Sequence, residues 1–175
     1  MNLTRAIATV GGLTMVSRVT GFLRDVSIAA LLGAGPIADA FFVAFKLPNF
    51  FRRLTGEGAL TVAFVPLFAG RLEQQGKAAA RHFASEVAAL LGAALIALTL
   101  AAQLTMPWLV SVMAPGFMAT PERFALTVEL TRVTFLYLPL ISLVALLGGM
   151  LNAVGRFAVM AASPILLNLV LISAM

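Results

Sequence analysis

Residues 84–114 read ASEVAALLGAALIALTLAAQLTMPWLVSVMA, and the only charge among them is Glu86. A helix needs about 20 mostly apolar residues to cross a hydrocarbon core of about 30 Å, so this stretch is long enough to span a bilayer. A second run, FLYLPLISLVALLGGML from Phe135, carries no charge at all. The whole chain of 175 residues is 61% hydrophobic and 11% charged, with a mean hydropathy of +1.03. Soluble domains are about half apolar and a quarter charged. The pattern therefore predicts an all-α, polytopic transmembrane helix bundle.

Several classes of function are disfavoured. With no cysteine, disulfides, thiolate chemistry and Cys-bearing metal sites are excluded. The single histidine, His82, sits in a polar stretch. A net charge of +5 and a pI near 11.1 raise the question of nucleic acid, but the basic residues are scattered between and within apolar runs, so no nucleic-acid partner is expected. Neither a nucleophile elbow, a zinc-protease HExxH, a Walker loop nor a paired-Cys motif occurs, so an enzyme is not expected, and no cofactor or metal is assigned. The apolar region after Arg5 is interrupted by Arg18 and lacks a clear small-residue cleavage site, which argues against a signal peptide.

Cutting the apolar runs at Gly, Pro and charge clusters gives five segments: 5–32, 37–70, 84–113, 123–151 and 158–175. GAGP at 33–36 reads as a turn, 71–82 as the longest polar connection, 114–123 as a Pro/Gly break and NAVGRF at 152–157 as another turn. With a cytoplasmic N-terminus, that side carries Arg5, Arg71, Lys77, Arg81 and Arg156 against Arg123 on the other, an orientation favoured by the positive-inside bias. Trp108 then falls near the outer interface, although packing between helices explains it equally well. The last segment stops while still apolar, so 1–175 reads as a partial N-terminal transmembrane lobe.

Charges inside these segments need a reason. A central Arg costs about 2.5 to 3.5 kcal/mol on insertion scales unless it meets water or a partner. Arg18 lies near the middle of the first segment. At about 100° per residue, Gly11, Thr14, Ser17, Arg18, Gly21, Arg24 and Asp25 share an arc of roughly 140°. Such a face predicts contact with a bundle interior or a wet cavity; the structural alternative is that Arg24 and Asp25 pair with neighbouring helices and the small residues let backbones approach.

The second segment contains ADAFFVAFKLPNFFRRLTGEGALTVAFVP, residues 38–66. Asp39, Lys46 and Asn49 lie within about 80° of one another on a helix. Pro48, Gly56 and Gly58 invite a kink or unwound stretch, tolerated at membrane depth only where protein or a wet cavity satisfies the backbone. In a competing topology the helix ends near Phe51 and Arg52 and Arg53 are interfacial anchors. Together Arg18, Arg24, Lys46, Arg52 and Arg53 outnumber Asp25, Asp39 and Glu57, and a cavity of that sign attracts an anion; Arg suits phosphate oxygens in particular. Glu129 and Arg132, three apart, suggest a local salt bridge.

SRVTGFLRD at 17–25, followed by the 38–66 stretch and the GGMLNAVGRF turn, resembles the MurJ/MviN family of lipid II flippases. The resemblance implies the N-terminal part of a MOP-superfamily transporter lobe, multi-pass in the bacterial inner membrane. Its implied substrate is lipid II, the undecaprenyl-pyrophosphate peptidoglycan precursor, flipped from the cytoplasmic to the periplasmic leaflet by alternating access. The positions it implies for substrate binding are Arg18, Arg24, Asp39, Arg52 and Arg53. Membrane lipids and the remaining C-terminal part of the transporter are the further partners implied. Two rivals stand beside it: another oligosaccharide-lipid or multidrug exporter of that superfamily, and a structural membrane scaffold for wall synthesis. A drug-cation exporter would carry an acidic cavity; a scaffold would need no deep charges.

Overall fold

The computed structural model describes residues 3–53 and 62–175. Gly56, Glu57 and Gly58 lie outside the described residues. The described chain is all-α: α1 (Leu3–Leu32), α2 (Pro36–Arg52), α3 (Val65–Met113), α4 (Pro121–Phe135), α5 (Tyr137–Ala153) and α6 (Phe157–Ser173), with a 3-10 turn at Pro115–Ala119 between α3 and α4. Val62–Met113 and Pro121–Ala153 are long and apolar enough to cross a membrane. The chain divides into two compact units, 1–34 with 151–175, and 35–150.

In the second unit, α3 is not one rod. Forty-nine residues of straight helix would run about 74 Å, more than twice a bilayer core. Gly76 breaks it, at φ 81° and ψ −178°, a conformation essentially reserved for glycine. Phe64 and Phe83 would stand about 28 Å apart on a continuous helix, yet their rings stack at 5.7 Å. The chain therefore doubles back at Gly76. Phe68 stacks on Phe64 at 5.6 Å and the Arg71 guanidinium lies 4.1 Å over Phe83, so the two legs are clasped by aromatic contacts. The polar stretch 71–82, read from sequence as a connection, is helical on both sides of that glycine.

The core of this unit gathers Leu47 of α2, Leu95, Ala102, Met106 and Val110 of α3, Val128 and Phe135 of α4, and Leu138 of α5. Because lipid tails are as apolar as leucine, burial alone gives little preference for helix contact over lipid contact. Close packing and polar contacts must select the partners. Pro48 has no N–H, so the carbonyl of Ala44, four residues earlier, loses its helical donor; the Thr134 hydroxyl supplies one at 3.0 Å. Where α4 gives way to α5, the Leu136 N–H turns to Val133, three residues back, and the Arg132 carbonyl instead accepts from Gln103 Nε2 at 2.8 Å. Two helix defects thus become two interhelical hydrogen bonds.

The first unit pairs α1 with α6. α5 ends in a Schellman turn: Gly155, at φ 76°, donates its N–H to the Asn152 carbonyl at 3.0 Å, and the Arg156 N–H reaches Leu151 at 2.8 Å. The turn read at 152–157 from sequence is there for that reason. Within α6, Pro164 orphans the Met160 carbonyl, which the Ser163 hydroxyl approaches at 3.3 Å. Asn168 is the buried residue of α6.

Candidate functional site

In the first unit the polar arc of α1 is divided between two environments. Ser17, Gly21 and Arg24 turn toward α6, where Asn168 meets them; Gly11, Thr14, Arg18 and Asp25 are exposed. Asn168 is 4% exposed, so its amide has to be satisfied by protein. Its Nδ2 donates to the Ser17 carbonyl and to Thr20 Oγ1, each at 3.2 Å, while its Oδ1 accepts from Arg24 Nη1 at 2.8 Å. The other edge of the Arg24 fork, Nε and Nη2, closes on a single oxygen of Asp25, at 3.0 and 2.7 Å. Arg24 is 28% exposed and Asp25 64%, so the guanidinium is the inner partner and the carboxylate the outer one.

The second unit holds Asp39, Lys46, Arg52 and Arg53. Asp39 stands in the first turn of α2, where its N–H bonds the Gly35 carbonyl at 3.1 Å and its negative charge suits the helix N-terminus. Its carboxylate accepts from Arg123 Nη2 of α4. The Arg123 guanidinium lies 3.8 Å over the ring of Phe117 in the 3-10 turn. One charge pair and one cation-π contact thereby tie the start of α2 to α4 and the turn before it. At the far end of α2, Arg52 Nε approaches Asn49 Oδ1 at 3.4 Å, in the last turn, where a cation suits the helix dipole. Arg53 and Lys46 are exposed. Among the described residues, Glu129 and Arg132 form no ion pair.

Of the residues singled out from sequence, Arg18 and Arg24 share α1, and Asp39, Arg52 and Arg53 share α2 or its cap. Sequence reasoning did not find Asn168 or the role of Arg123. Asn168 reads as one polar residue in an apolar run; Arg123 reads as a loop charge on the outer side. A lone amide in a long apolar helix is the signal that could have pointed to Asn168, since it must find a partner in lipid.

Arg24 offers one guanidinium edge fixed by a neutral amide and one turned to an exposed acid. That edge could donate to a carboxylate or phosphate oxygen in place of Asp25. Among the described residues no group of three or more His, Asp or Glu is placed to hold a metal ion. The described chain is all-α, with two helices long and apolar enough to cross a membrane and a divided polar face on its first helix.

Comparison with known proteins narrows this. Residues 28–175 match the family model described as lipid II flippase MurJ. A probable lipid II flippase MurJ of Rhizobium tropici is 49% identical over 176 residues, covering 100% of this chain and 33% of that protein. A lipid II flippase MurJ of Burkholderia cenocepacia is 41% identical over 174 residues, covering 99% of this chain and 34% of its own length. The chain belongs to the lipid II flippase MurJ family. It spans about a third of the length of the curated relatives it matches.

Proposed function

We propose that this chain is part of a transporter, not an enzyme, that moves lipid II from the cytoplasmic to the periplasmic leaflet of the bacterial inner membrane by alternating access. The N-terminus lies in the cytoplasm, following the excess of basic residues on that side. Arg18, Arg24, Arg52 and Arg53 bind the diphosphate, Asp39 orients or gates them, and the lipid tail stays in the bilayer. The remaining two thirds of a relative-sized protein complete the machine.

Arg24 carries this reading. A diphosphate takes the Nε/Nη2 edge of a guanidinium as two parallel charge-assisted bonds, and Asp25 holds that edge here at 3.0 and 2.7 Å. Relatives matched along the whole chain bear the name lipid II flippase, which supports the same substrate. The decisive experiment is Arg24→Ala in a full-length flippase carrying this segment. Flipping of lipid II in proteoliposomes should be abolished while membrane insertion stays intact; normal flipping refutes the assignment. Binding of lipid II compared with undecaprenyl monophosphate then separates diphosphate recognition from recognition of any anionic isoprenoid.

A further inference from the structure

We infer that Asn168 is the positioning residue for Arg24, holding the guanidinium so that its Nε/Nη2 edge is presented to an incoming diphosphate. The inference rests on the reading that Arg24 meets that diphosphate. Its basis is the way the amide is locked. The Ser17 carbonyl can only accept, and a guanidinium can only donate. Turning the Asn168 amide over would set its NH2 against Arg24 and its oxygen against the Ser17 carbonyl, two like-polarity contacts in place of two hydrogen bonds. Thr20 fixes the direction further: its hydroxyl lies 3.0 Å from the Val16 carbonyl and 3.1 Å from that of Ser17, so it spends its proton there and accepts from Asn168.

The network is therefore a one-way chain, from Arg24 through the buried amide to the α1 backbone. It engages Nη1 and leaves the rest of the fork to Asp25. A neutral holder matters here. A carboxylate at position 168 would also orient Arg24 but would cancel the charge that a phosphate needs. The amide packs directly over Gly21: a Cβ there would lie 3.4 Å from Asn168 Nδ2, in ordinary van der Waals contact.

A double-mutant cycle tests this in a full-length flippase carrying the segment, reading the affinity for lipid II in nanodiscs. Asn168→Ala should weaken binding roughly tenfold, as expected for neighbouring groups that act as a unit, and in an Arg24→Ala background it should weaken binding no further. A purely structural Asn168 would instead lower affinity by the same factor in both backgrounds, and that result overturns the inference while leaving the diphosphate site intact. Affinity unchanged in Arg24→Ala alone overturns the site reading and this inference together. Should Asn168→Ala not assemble, Asn168→Ser, which stays polar but is too short to reach the guanidinium, carries the same cycle. Asn168→Asp supplies the second readout: it should weaken lipid II binding more than Asn168→Ala does, through charge, and an affinity equal to the parent's overturns the need for a neutral holder.

Discussion

Thr134 of α4 donates its hydroxyl to the carbonyl of Ala44 in α2, at 3.0 Å, and it does so because Pro48 has taken away the N–H that would have served that carbonyl. A defect in one helix is answered by a side chain 90 residues away in the sequence. Without it a buried acceptor would face apolar atoms, at a cost of about 1 to 3 kcal/mol. Thr134→Val should therefore lower stability by roughly that amount, read as thermal unfolding in detergent. In a Pro48→Ala background the backbone donor returns, and the same substitution should cost less than about 0.5 kcal/mol. Equal losses in both backgrounds would show that the Ala44 carbonyl does not depend on Thr134, whose hydroxyl also lies 3.2 Å from the Thr131 carbonyl.

Two glycines should answer the same substitution with opposite signs. A Cβ on Gly149 of α5 would lie 2.9 Å from Val65 Cγ2, with the Phe64 ring at 3.7 and 3.9 Å, so Gly149→Ala must push α5 away from the start of α3. Overpacking of this kind costs about 1 to 3 kcal/mol. A Cβ on Gly92, within α3, meets nothing within 4 Å, and Gly92→Ala should stabilise by up to about 1 kcal/mol through helix propensity. Thermal melts of the two variants decide it, and Val65→Ala should restore most of what Gly149→Ala loses.

Thr99 presents the reverse case from Thr134. It is 7% exposed, and its hydroxyl finds no partner among the described residues. A buried hydroxyl without a partner gains nothing from being polar, so the near-isosteric Thr99→Val should be neutral or stabilising by up to about 1 kcal/mol. A loss of more than about 1 kcal/mol in thermal unfolding would reveal a partner for Thr99 after all.

The tie between Asp39 and Arg123 separates stability from transport. Asp39 is 58% exposed, and solvent screening leaves such a pair worth at most about 1 kcal/mol. Arg123→Ala loses the pair and also the stacking on Phe117, so it should destabilise more than Asp39→Asn does. Combining the two should cost little more than Arg123→Ala alone, because they share one contact. If Asp39 also orients the substrate arginines, Asp39→Asn should reduce lipid II flipping in proteoliposomes far beyond its small effect on the melting temperature.

Much of this molecule was legible along the chain. The run at 84–114 reads as a span because about 20 apolar residues in a row have few uses outside lipid. Gly155 reads as a turn because NAVGRF breaks the apolar pattern, and its positive φ is the reason glycine stands there. The polar arc of α1 followed from 100° counting, and three of its seven residues do turn inward on α6. A break between the segments 37–70 and 84–113 was read at 71–82, but not that it would fall on Gly76 alone with helix on both sides, since one glycine in a polar stretch is compatible with either a longer loop or a sharp fold-back.

By itself the sequence determined that the chain is helical, that it lies in a membrane, which family it belongs to, and which arginines sit on which helices. These follow from run length, periodicity and local motif, all set by neighbours in the chain. Only the tertiary structure decided that Asp39 meets Arg123, that Arg24 meets Asn168, and that Thr134 answers Pro48. In apolar surroundings hydrophobicity does not choose between one helix neighbour and another, so the partner of each polar group depends on which helices touch, and that is settled by packing in three dimensions.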